Sequence, residues 1–320
     1  MTSQPASEIS IVVPVYNEQE VLPDFHQRLS VVLNTLSFAS EIIYVNDGSQ
    51  DDTLAIIESL YRDDHRVAVV DLSRNFGKEI ALTAGLHKAR GDAVVVIDAD
   101  LQDPPELIPE LINEWHNGYD VVYAKRSRRE GESFIKKATA HGFYRIMQRM
   151  GHVKLPEDTG DFRLLSRRAV DALNTLTEHH RFMKGLFTWI GYKQKAVLYE
   201  RDPRQAGQTK WNYWRLWNFA IEGITSFTIA PLKFASYSGL IVALGALSYG
   251  IYFLVRTLLY GNPVPGYPSL IVIILFLGGV QLMFIGILGE YIGRIFTETK
   301  RRPLYFLNQS LPPRAESDEE

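Results

Sequence analysis

The chain has 320 residues, 46% of them hydrophobic, so it is long enough to bury a large core and to hold more than one domain. Its formal net charge of −3 supplies no overall positive field, which argues against a nucleic-acid-binding protein. Cysteine is absent, and this excludes disulfides and thiolate metal sites. Residues 1–8 are polar and lack the apolar region of a cleavable signal peptide, so we expect none.

The first part of the chain alternates between strand and helix patterns. The apolar runs predict strands at residues 9–13, 41–45, 67–71, 93–97 and 120–124. Four helical patterns lie between these strands. The first covers residues 18–36, the second begins at about residue 51, the third ends at about residue 90, and the fourth covers residues 104–115. This alternation predicts an α/β fold with a parallel sheet, right-handed crossovers and helices on both faces. Polar residues fill the strand-to-helix loops, so the site is expected along that edge of the sheet.

The pattern is less regular after the fifth predicted strand. The pattern of residues 131–149 is basic and predicts a helix, and residues 157–163 read as a polar loop. A further helix is predicted at 166–176, and a closing strand or hairpin at 188–200.

An acidic segment follows directly after the fourth predicted strand, in the sequence AVVVIDADLQDPP. Asp98 and Asp100 stand one residue apart at the strand's carboxyl end, and Gln102 and Asp103 follow. Their oxygens suit Mg²⁺ or Mn²⁺, and such an ion would carry a diphosphate. A solvated turn is the alternative, but three neighbouring carboxylates repel one another unless a cation binds there.

The last third of the chain is apolar, and we expect it to associate with a membrane bilayer. Two uncharged stretches, about 234–255 and 269–289, meet the length of a transmembrane helix. Before them, Trp211, Trp214 and Trp217 fall on one helical face, which favours an interfacial helix over an ordinary domain helix. Glycines within the spans permit close helix packing and therefore a homo-oligomer.

Charges around the two spans predict their orientation. Basic residues precede the first span and follow the second, and the connector at 257–268 carries no charge. The positive-inside rule then puts both termini in the cytoplasm, as expected of an integral protein of the inner membrane. The expected domains are a catalytic domain at 1–205, interfacial helices at 206–232, the transmembrane hairpin at 233–296 and a cytoplasmic tail at 297–320.

Several motifs together resemble glycosyltransferase family 2: IVVPVYNE, VNDGSQDDT, SRNFGKE, DADLQDPP and TGDFRLLSR. The later RQAGQTKWN, the apolar hairpin and GEYIGRIFTETKRRP narrow this resemblance to polyprenyl-phosphate glycosyltransferases. The bactoprenol glucosyltransferases are most similar, and the dolichyl-phosphate mannose synthases are more distant. The resemblance covers about residues 9–307.

This resemblance implies a GT-A fold and an inverting transfer of a hexose, most closely glucose from UDP-glucose, to undecaprenyl or another polyprenyl phosphate. It implies a divalent metal, Mg²⁺ or Mn²⁺, held by Asp98, Asp100 and Gln102. The residues implied in nucleotide binding are Pro14, Tyr16, Asn17, Glu18, Asp47, Gly48, Ser49, Lys78, Asp98 and Ala99.

A lipid phosphate acceptor changes what catalysis requires. Such a phosphate is already largely ionised at neutral pH, so a cationic clamp matters more than a general base. Asp158 and Asp161 match the family's D-x-x-G-D-F-R pattern, and either would orient the nucleophile or contact the sugar. Asp158 is favoured, because the dolichyl-phosphate mannose synthases carry Ser at the second position. The candidates for the clamp are Arg126, which would also be catalytic, and Lys136, Lys137, Arg201, Arg204 and Lys210.

Other functions fit parts of the pattern. Mannose, galactose, aminoarabinose or an N-acetylhexosamine would need only changes in the sugar pocket. A processive polysaccharide synthase would usually carry more spans and a Q-x-x-R-W signature, which are absent. A non-catalytic membrane scaffold is disfavoured by the intact acidic motifs. The eight histidines lack metal-ligand spacing, so no zinc site is expected.

Overall fold

The computed structural model describes residues 9–126, 159–179, 181–199, 230–261 and 266–314. The chain divides into two compact units, one made of residues 1–212 and 302–320, the other of residues 213–301. The finer domain boundaries given above stay a prediction.

The first unit is built on a mixed sheet of eight strands. Their bounds are β1 Ile9–Val15, β2 Ser40–Asn46, β3 Val67–Leu72, β4 Ala93–Val96, β5 Val121–Arg126, β6 Thr159–Ser166, β7 Gln194–Tyr199 and β8 Leu307–Leu311. The order across the sheet is β7-β5-β6-β4-β1-β2-β3-β8. The four central strands β4, β1, β2 and β3 are mutually parallel, as predicted.

Helices pack against both faces of this sheet, which is why the central strands are almost completely buried. The helices are α1 Leu22–Leu33, α2 Thr53–Asp63, α3 Lys78–Lys88, α4 Ile108–His116, α5 Arg167–Thr175 and α6 Met183–Trp189. A short 3₁₀ turn, Pro105–Leu107, precedes α4. In α1 the buried side chains recur at helical spacing, as the sequence pattern predicts.

Strand β6 corrects the sequence interpretation. Residues 157–163 read as a polar loop, but from Thr159 onward this is wrong, because the segment forms a strand between β4 and β5, antiparallel to both. Phe162 and Leu164 are fully buried in the core. The amino-terminal part of β6 contains polar residues that are buried, such as Asp161 and Arg163. The alternation of apolar and polar residues that usually marks a strand is therefore weak in this segment. The sheet is mostly parallel rather than fully parallel.

The direction of β6 has a consequence for the site. Because β6 is antiparallel to β4 and β5, its amino end lies at the edge where β1 to β5 and β7 end. The segment from Thr159 to Asp161 therefore joins the carboxyl-edge loops.

Strand β8 was not anticipated by the sequence pattern. It pairs antiparallel with β3, and the backbone N–H of Ser73 donates to the carbonyl of Phe306 at 2.9 Å. Further along, the N–H of Arg314 donates to the carbonyl of His65 at 2.9 Å. The residues expected to form a tail thus complete the edge of the sheet.

The second unit contains two long helices, α7 Ala230–Tyr260 and α8 Tyr267–Thr299. Within them, Leu232–Tyr260 and Phe276–Thr299 are long and apolar enough to cross a membrane, which makes both candidate spans. Large apolar side chains such as Leu244 and Leu282 are more than half exposed. The predicted basic helix at 131–149 and nearly all of the predicted interfacial helix at 206–232 lie outside the described residues.

Candidate active site

A cleft of about 350 Å³ opens at the carboxyl edge of the sheet. It lies where open α/β sheets bind their ligands, beyond the ends of β1, β2 and β4. Most of the predicted nucleotide-binding residues line it; the full lining is Pro14, Val15, Tyr16, Glu18, Asp47, Asn75, Gly77, Lys78, Ala81, Asp98, Ala99 and Asp100.

Hydrogen bonds join the loop that follows β1 to the loop that follows β2, beside the cleft. Asn17, at φ 55, is in the left-handed region that asparagine tolerates better than most residues. Its N–H donates to Ser49 Oγ at 3.0 Å, and its Oδ1 accepts from the N–H of Gln50 at 2.8 Å. Asn17 and Ser49 were predicted to bind nucleotide, and here they support the cleft rather than line it.

Asp47 fastens a third loop to the cleft. Its Oδ1 accepts from the N–H of Phe76 at 2.7 Å, and its Oδ2 accepts from the N–H of Gly77 at 2.9 Å. Burial raises the pKa of Asp47, although the two amide hydrogen bonds oppose that shift. The carboxylate therefore holds the loop between β3 and α3 in position, and its predicted role in nucleotide binding stays a prediction.

Gly48 has no room for a side chain. Its φ is +65, and a Cβ built there would approach the backbone of Arg74 and Asn75 to 2.5 Å. We expect Gly48→Ala to lower the free energy of unfolding by about 2–4 kcal/mol, since the left-handed backbone strain adds to a displacement of the neighbouring loop. UDP affinity should fall with it. Denaturant unfolding and UDP titration of the purified protein measure the two effects.

Gly118 offers a matched control for this substitution. Its φ of +89 carries a similar backbone restriction, but no atom of the described residues lies within 4 Å of a Cβ built there. Gly118→Ala should cost about 1 kcal/mol and leave UDP affinity unchanged. Equal effects at the two glycines would contradict a tight packing role for Gly48.

Lys78 joins two acidic residues across the edge. It is the first residue of α3, and its Nζ lies 2.6 Å from Asp98 Oδ2 and 2.6 Å from Asp161 Oδ2. The side chain of Lys78 is 44% exposed; its partial burial opposes the charge, but the two carboxylates raise its pKa above the usual range. Burial likewise opposes ionisation of Asp161, yet Lys78 and Lys184 hold the pKa of that carboxyl well below normal. The pair Lys78–Asp161 is therefore charged at neutral pH.

The pKa of Glu18 is sensitive to the negative charges at this edge of the sheet. Burial, followed by the charges of Asp100, Asp98 and Asp51, raises the pKa of Glu18 to about 7. The aspartate charges add to the effect of burial on Glu18, and a cation bound at this edge would offset them.

Asp100 and Gln102 are the best-placed donors for a metal ion. Gln102 is 2% exposed, and its Oε1 is buried with no hydrogen-bond partner among the described residues. The intervening Leu101 has φ 58, a strained conformation for a leucine. The N–H of Gln102 donates to Asp100 Oδ1 at 3.2 Å, which closes a tight turn. Both side chains have the oxygen chemistry that Mg²⁺ or Mn²⁺ prefers.

No three Asp, Glu, His or Cys side chains gather as a metal site within the described parts of the chain. This does not conflict with a nucleotide-carried ion, because Mg²⁺ is usually bound by one or two carboxylates together with substrate phosphates. Asp98 would share its oxygens between Lys78 and such an ion. The predicted set Asp98, Asp100 and Gln102 therefore fits the ion, and metal binding stays a prediction.

Arg126 belongs to a second cluster, next to Asp161 along the edge. It ends β5 and lies opposite Tyr199, the last residue of β7, in the parallel pairing of these two strands. The hydroxyl of Tyr199 donates to Asp103 Oδ1. Burial, followed by the charge of Asp103, raises the pKa of Tyr199 to about 12 and keeps its proton in place. Arg126 Nε is buried and has no hydrogen-bond partner among the residues described.

Arg163 holds the start of β6 in shape. It is 3% exposed, and its Nη2 and Nε donate to the carbonyls of Gly160 at 2.8 Å and Asp161 at 3.2 Å. Its guanidinium also stacks on the ring of Phe187 at 3.9 Å. Arg163 thereby fixes the backbone that carries Asp161. Tyr199 was not singled out in the sequence, because its partner Asp103 lies 96 positions away along the chain. Arg163 stands in the motif TGDFRLLSR and Asp103 in the acidic segment after β4, but the sequence assigned neither of them a structural partner.

Several predicted site residues lie outside the described residues. They are Asp158 and the acceptor-phosphate candidates Lys136, Lys137, Arg201, Arg204 and Lys210. Their roles stay predictions.

Comparison with known proteins decides the family. Residues 10–173 match the domain described as "Glycosyl transferase family 2", and residues 230–295 match the "GtrB C-terminal hairpin". The chain belongs to glycosyltransferase family 2. The expected GT-A fold, an α/β domain with a mostly parallel sheet followed by two apolar helices, is confirmed.

Relatives match this glycosyltransferase over nearly its full length. The "Uncharacterized glycosyltransferase sll0501" of Synechocystis is 54% identical over 94% of this chain and 95% of that protein. The "Prophage bactoprenol glucosyl transferase homolog" of Escherichia coli K12 is 48% identical over 94% of this chain and 99% of that protein. A solved structure of Mycobacterium tuberculosis glucosyl-3-phosphoglycerate synthase with Mn²⁺, UDP-glucose and phosphoglyceric acid covers 68% of this chain and 78% of its own, at 19% identity and TM-score 0.45.

Proposed function

We propose that this glycosyltransferase transfers glucose from UDP-glucose to undecaprenyl phosphate or a similar polyprenyl phosphate, with inversion at the anomeric carbon. The observation that carries the proposal is the 48% identity to the bactoprenol glucosyl transferase homolog, which extends through the apolar hairpin. A relative matched over catalytic domain and hairpin together supports the same acceptor class as well as the same chemistry.

The cleft suits the donor. The nucleoside would lie on the side of Asp47, and the diphosphate on the side of Lys78 and Asp100. A divalent ion held by Asp98, Asp100 and Gln102 would supply the positive charge that stabilises the leaving UDP. Lys78 adds a fixed cation at the same edge.

The acceptor phosphate needs orientation more than deprotonation. Its second pKa near 6, by analogy with phosphoamino acids, leaves it largely ionised at neutral pH. The guanidinium of Arg126 is planar and can donate two hydrogen bonds to one phosphate, and the hydrogen-bonded pair Tyr199–Asp103 lies next to it. The buried Nε without a partner among the described residues is consistent with a ligand on this side.

The two candidate aspartates would act differently. Asp161 is ionised and paired with Lys78, and its lowered pKa makes it a poor base near pH 7. It would act by its charge and by fixing Lys78. Asp158 stays the favoured candidate at the reacting centre, on the resemblance alone.

The membrane assignment is part of the proposal. The two candidate spans would anchor the enzyme in the inner membrane, with the catalytic domain in the cytoplasm. The basic residues before α7 and after α8, against an uncharged connector, support this side. Association between copies stays a prediction.

The proposal is tested with the full-length protein in detergent or lipid nanodiscs. Undecaprenyl phosphate and Mg²⁺ are incubated in turn with UDP-glucose, UDP-galactose, UDP-N-acetylglucosamine and GDP-mannose. We expect a polyprenyl-phosphate hexose, identified by mass spectrometry, with UDP-glucose used at least about tenfold better than the other donors. UDP release should depend on the lipid phosphate.

The outcome distinguishes the alternatives. A lipid product from another donor would replace glucose but keep the reaction class. UDP release without a lipid product would contradict the acceptor. Absence of any product would support the scaffold alternative.

A further inference from the structure

The strand that follows the apolar hairpin contributes a side chain to the edge of the sheet. Helix α8 ends at Thr299, and β8 begins at Leu307 and pairs with β3. Asn308 Nδ2 donates to Asp71 Oδ2 at 3.0 Å. Asn308 thus contacts the carboxyl end of β3, from which the chain continues into the loop held by Asp47.

Asp71 is a buried carboxylate with a donor on each oxygen. It is 5% exposed, and its Oδ1 accepts from Asn46 Nδ2 at 2.7 Å. Because a carboxylate only accepts, both neighbouring amides must turn their NH₂ groups toward it. Asp71 therefore sets the orientation of the Asn46 carboxamide, and Asn308 holds Asp71.

The orientation of the Asn46 carboxamide affects the loops at the cleft. With its Nδ2 turned to Asp71, Asn46 presents Oδ1 to the N–H of Ser49, at 3.1 Å. Ser49 Oγ in turn accepts from the N–H of Asn17 at 3.0 Å. The chain of hydrogen bonds runs from Asn308 through Asp71 and Asn46 to the two loops that carry Tyr16, Glu18 and Asp47.

We propose that Asn308 is a positioning residue of the donor site. Through Asp71 and Asn46 it holds the turn at residues 47–49 in the conformation that binds the nucleotide. The segment after the hairpin is therefore part of the donor site, although it touches no residue of the cleft lining in this network. This inference rests on the proposed function, because it requires that the cleft binds a nucleotide.

A pair of substitutions tests the direction of these hydrogen bonds. Asn308→Asp places a second carboxylate against Asp71 and removes the donor. Asp71→Asn is milder, since its amide still offers an oxygen to Asn46 and the Asn308 amide can rotate. In the double variant, the new amide at position 71 donates to the new carboxylate at position 308, and it still accepts from Asn46. The double variant should therefore recover most of what Asn308→Asp loses; only the longer hydrogen bond from Asn308 Nδ2 to the carbonyl of Leu72, at 3.4 Å, is not restored.

The experiment uses the full-length protein with UDP and Mg²⁺. Calorimetry measures the Kd for UDP, and steady-state assays give kcat and the KM values for UDP-glucose and lipid phosphate. We expect Asn308→Asp to raise the UDP Kd and the donor KM roughly tenfold or more, with kcat and the lipid KM changed less than about twofold. The double variant should return within about threefold of wild type. Ser310→Asp adds the same charge at another exposed residue of β8, one that lies opposite Val70 rather than Asp71, and it should change nothing.

Three outcomes overturn the inference. Asn308→Asp could leave the donor KM unchanged, its loss could persist in the double variant, or kcat and both KM values could worsen together as the protein loses thermal stability. The last result would mean a general structural role. If wild type itself does not bind UDP, the proposed function fails and this inference fails with it; if wild type binds and Asn308→Asp binds equally well, only the inference fails.

Discussion

Asp100→Asn is expected to reduce turnover roughly 100- to 1000-fold while leaving the fold intact. The asparagine keeps an oxygen for the hydrogen bond from the N–H of Gln102, so the turn at residues 100–102 is retained. What it loses is the charge that would hold a divalent ion against the diphosphate. Steady-state assays at saturating UDP-glucose and lipid phosphate measure the effect, and thermal unfolding checks the fold.

Removal of the metal should have the same result as the substitution. Wild type treated with EDTA should lose turnover, and added Mg²⁺ or Mn²⁺ should restore it; in Asp100→Asn the same additions should restore little. Glu110→Gln is a matched control, because it removes one exposed carboxylate from α4, a helix whose first residues follow the same loop. Undiminished turnover in Asp100→Asn or in EDTA would remove the metal from the mechanism.

Arg126→Ala is expected to lower kcat/KM for the lipid phosphate about ten- to a hundredfold, the equivalent of losing one charge-assisted hydrogen bond of about 1.5–3 kcal/mol. Both the KM for lipid phosphate and kcat should change, because the guanidinium binds the nucleophile and also aligns it. Tyr199 and Asp103 keep their own hydrogen bond in this variant, so the local structure should persist. Arg126→Lys should recover only part of the lost kcat/KM, because lysine restores the positive charge but cannot donate two parallel hydrogen bonds to the phosphate as a guanidinium does.

The control for Arg126 is its neighbour on the same strand. Lys125 is also cationic and half-buried, but successive side chains of a strand point to opposite faces of the sheet. Lys125→Ala should therefore leave the lipid KM unchanged. Titration with lipid phosphate at saturating UDP-glucose distinguishes the two variants. If Arg126→Ala weakens UDP binding and leaves the lipid KM alone, Arg126 belongs to the donor and not to the acceptor.

Much of this architecture was predictable from the chain because its signals are local. The strands β1 to β4 are continuous apolar runs that end in polar residues, and the crossover rules then bring their carboxyl ends to one edge. The two apolar helices follow from length and composition alone. The cleft lined by Tyr16, Asp47 and Asp98 is a direct consequence of that topology.

The position of β6 depended on the tertiary structure. Its amino end is polar because Asp161 is buried there beside Lys78 of α3, and Arg163 is buried where it donates to backbone carbonyls of β6 and stacks on Phe187 of α6. A buried polar residue has the same sequence signature as an exposed one, and only its partners distinguish the two. The strand therefore reads as a loop when the sequence is considered alone.

The sequence by itself determined the fold class, the acidic segment after β4 and the apolar hairpin, since each is encoded in consecutive residues. Only the tertiary structure decided that Lys78 joins Asp98 to Asp161, that Tyr199 donates to Asp103 beside Arg126, and that Asn308 reaches Asp71. These contacts join residues between 20 and 237 positions apart. Such pairs leave no periodic or spacing signal in one sequence, because what selects them is the meeting of strand ends at a common edge.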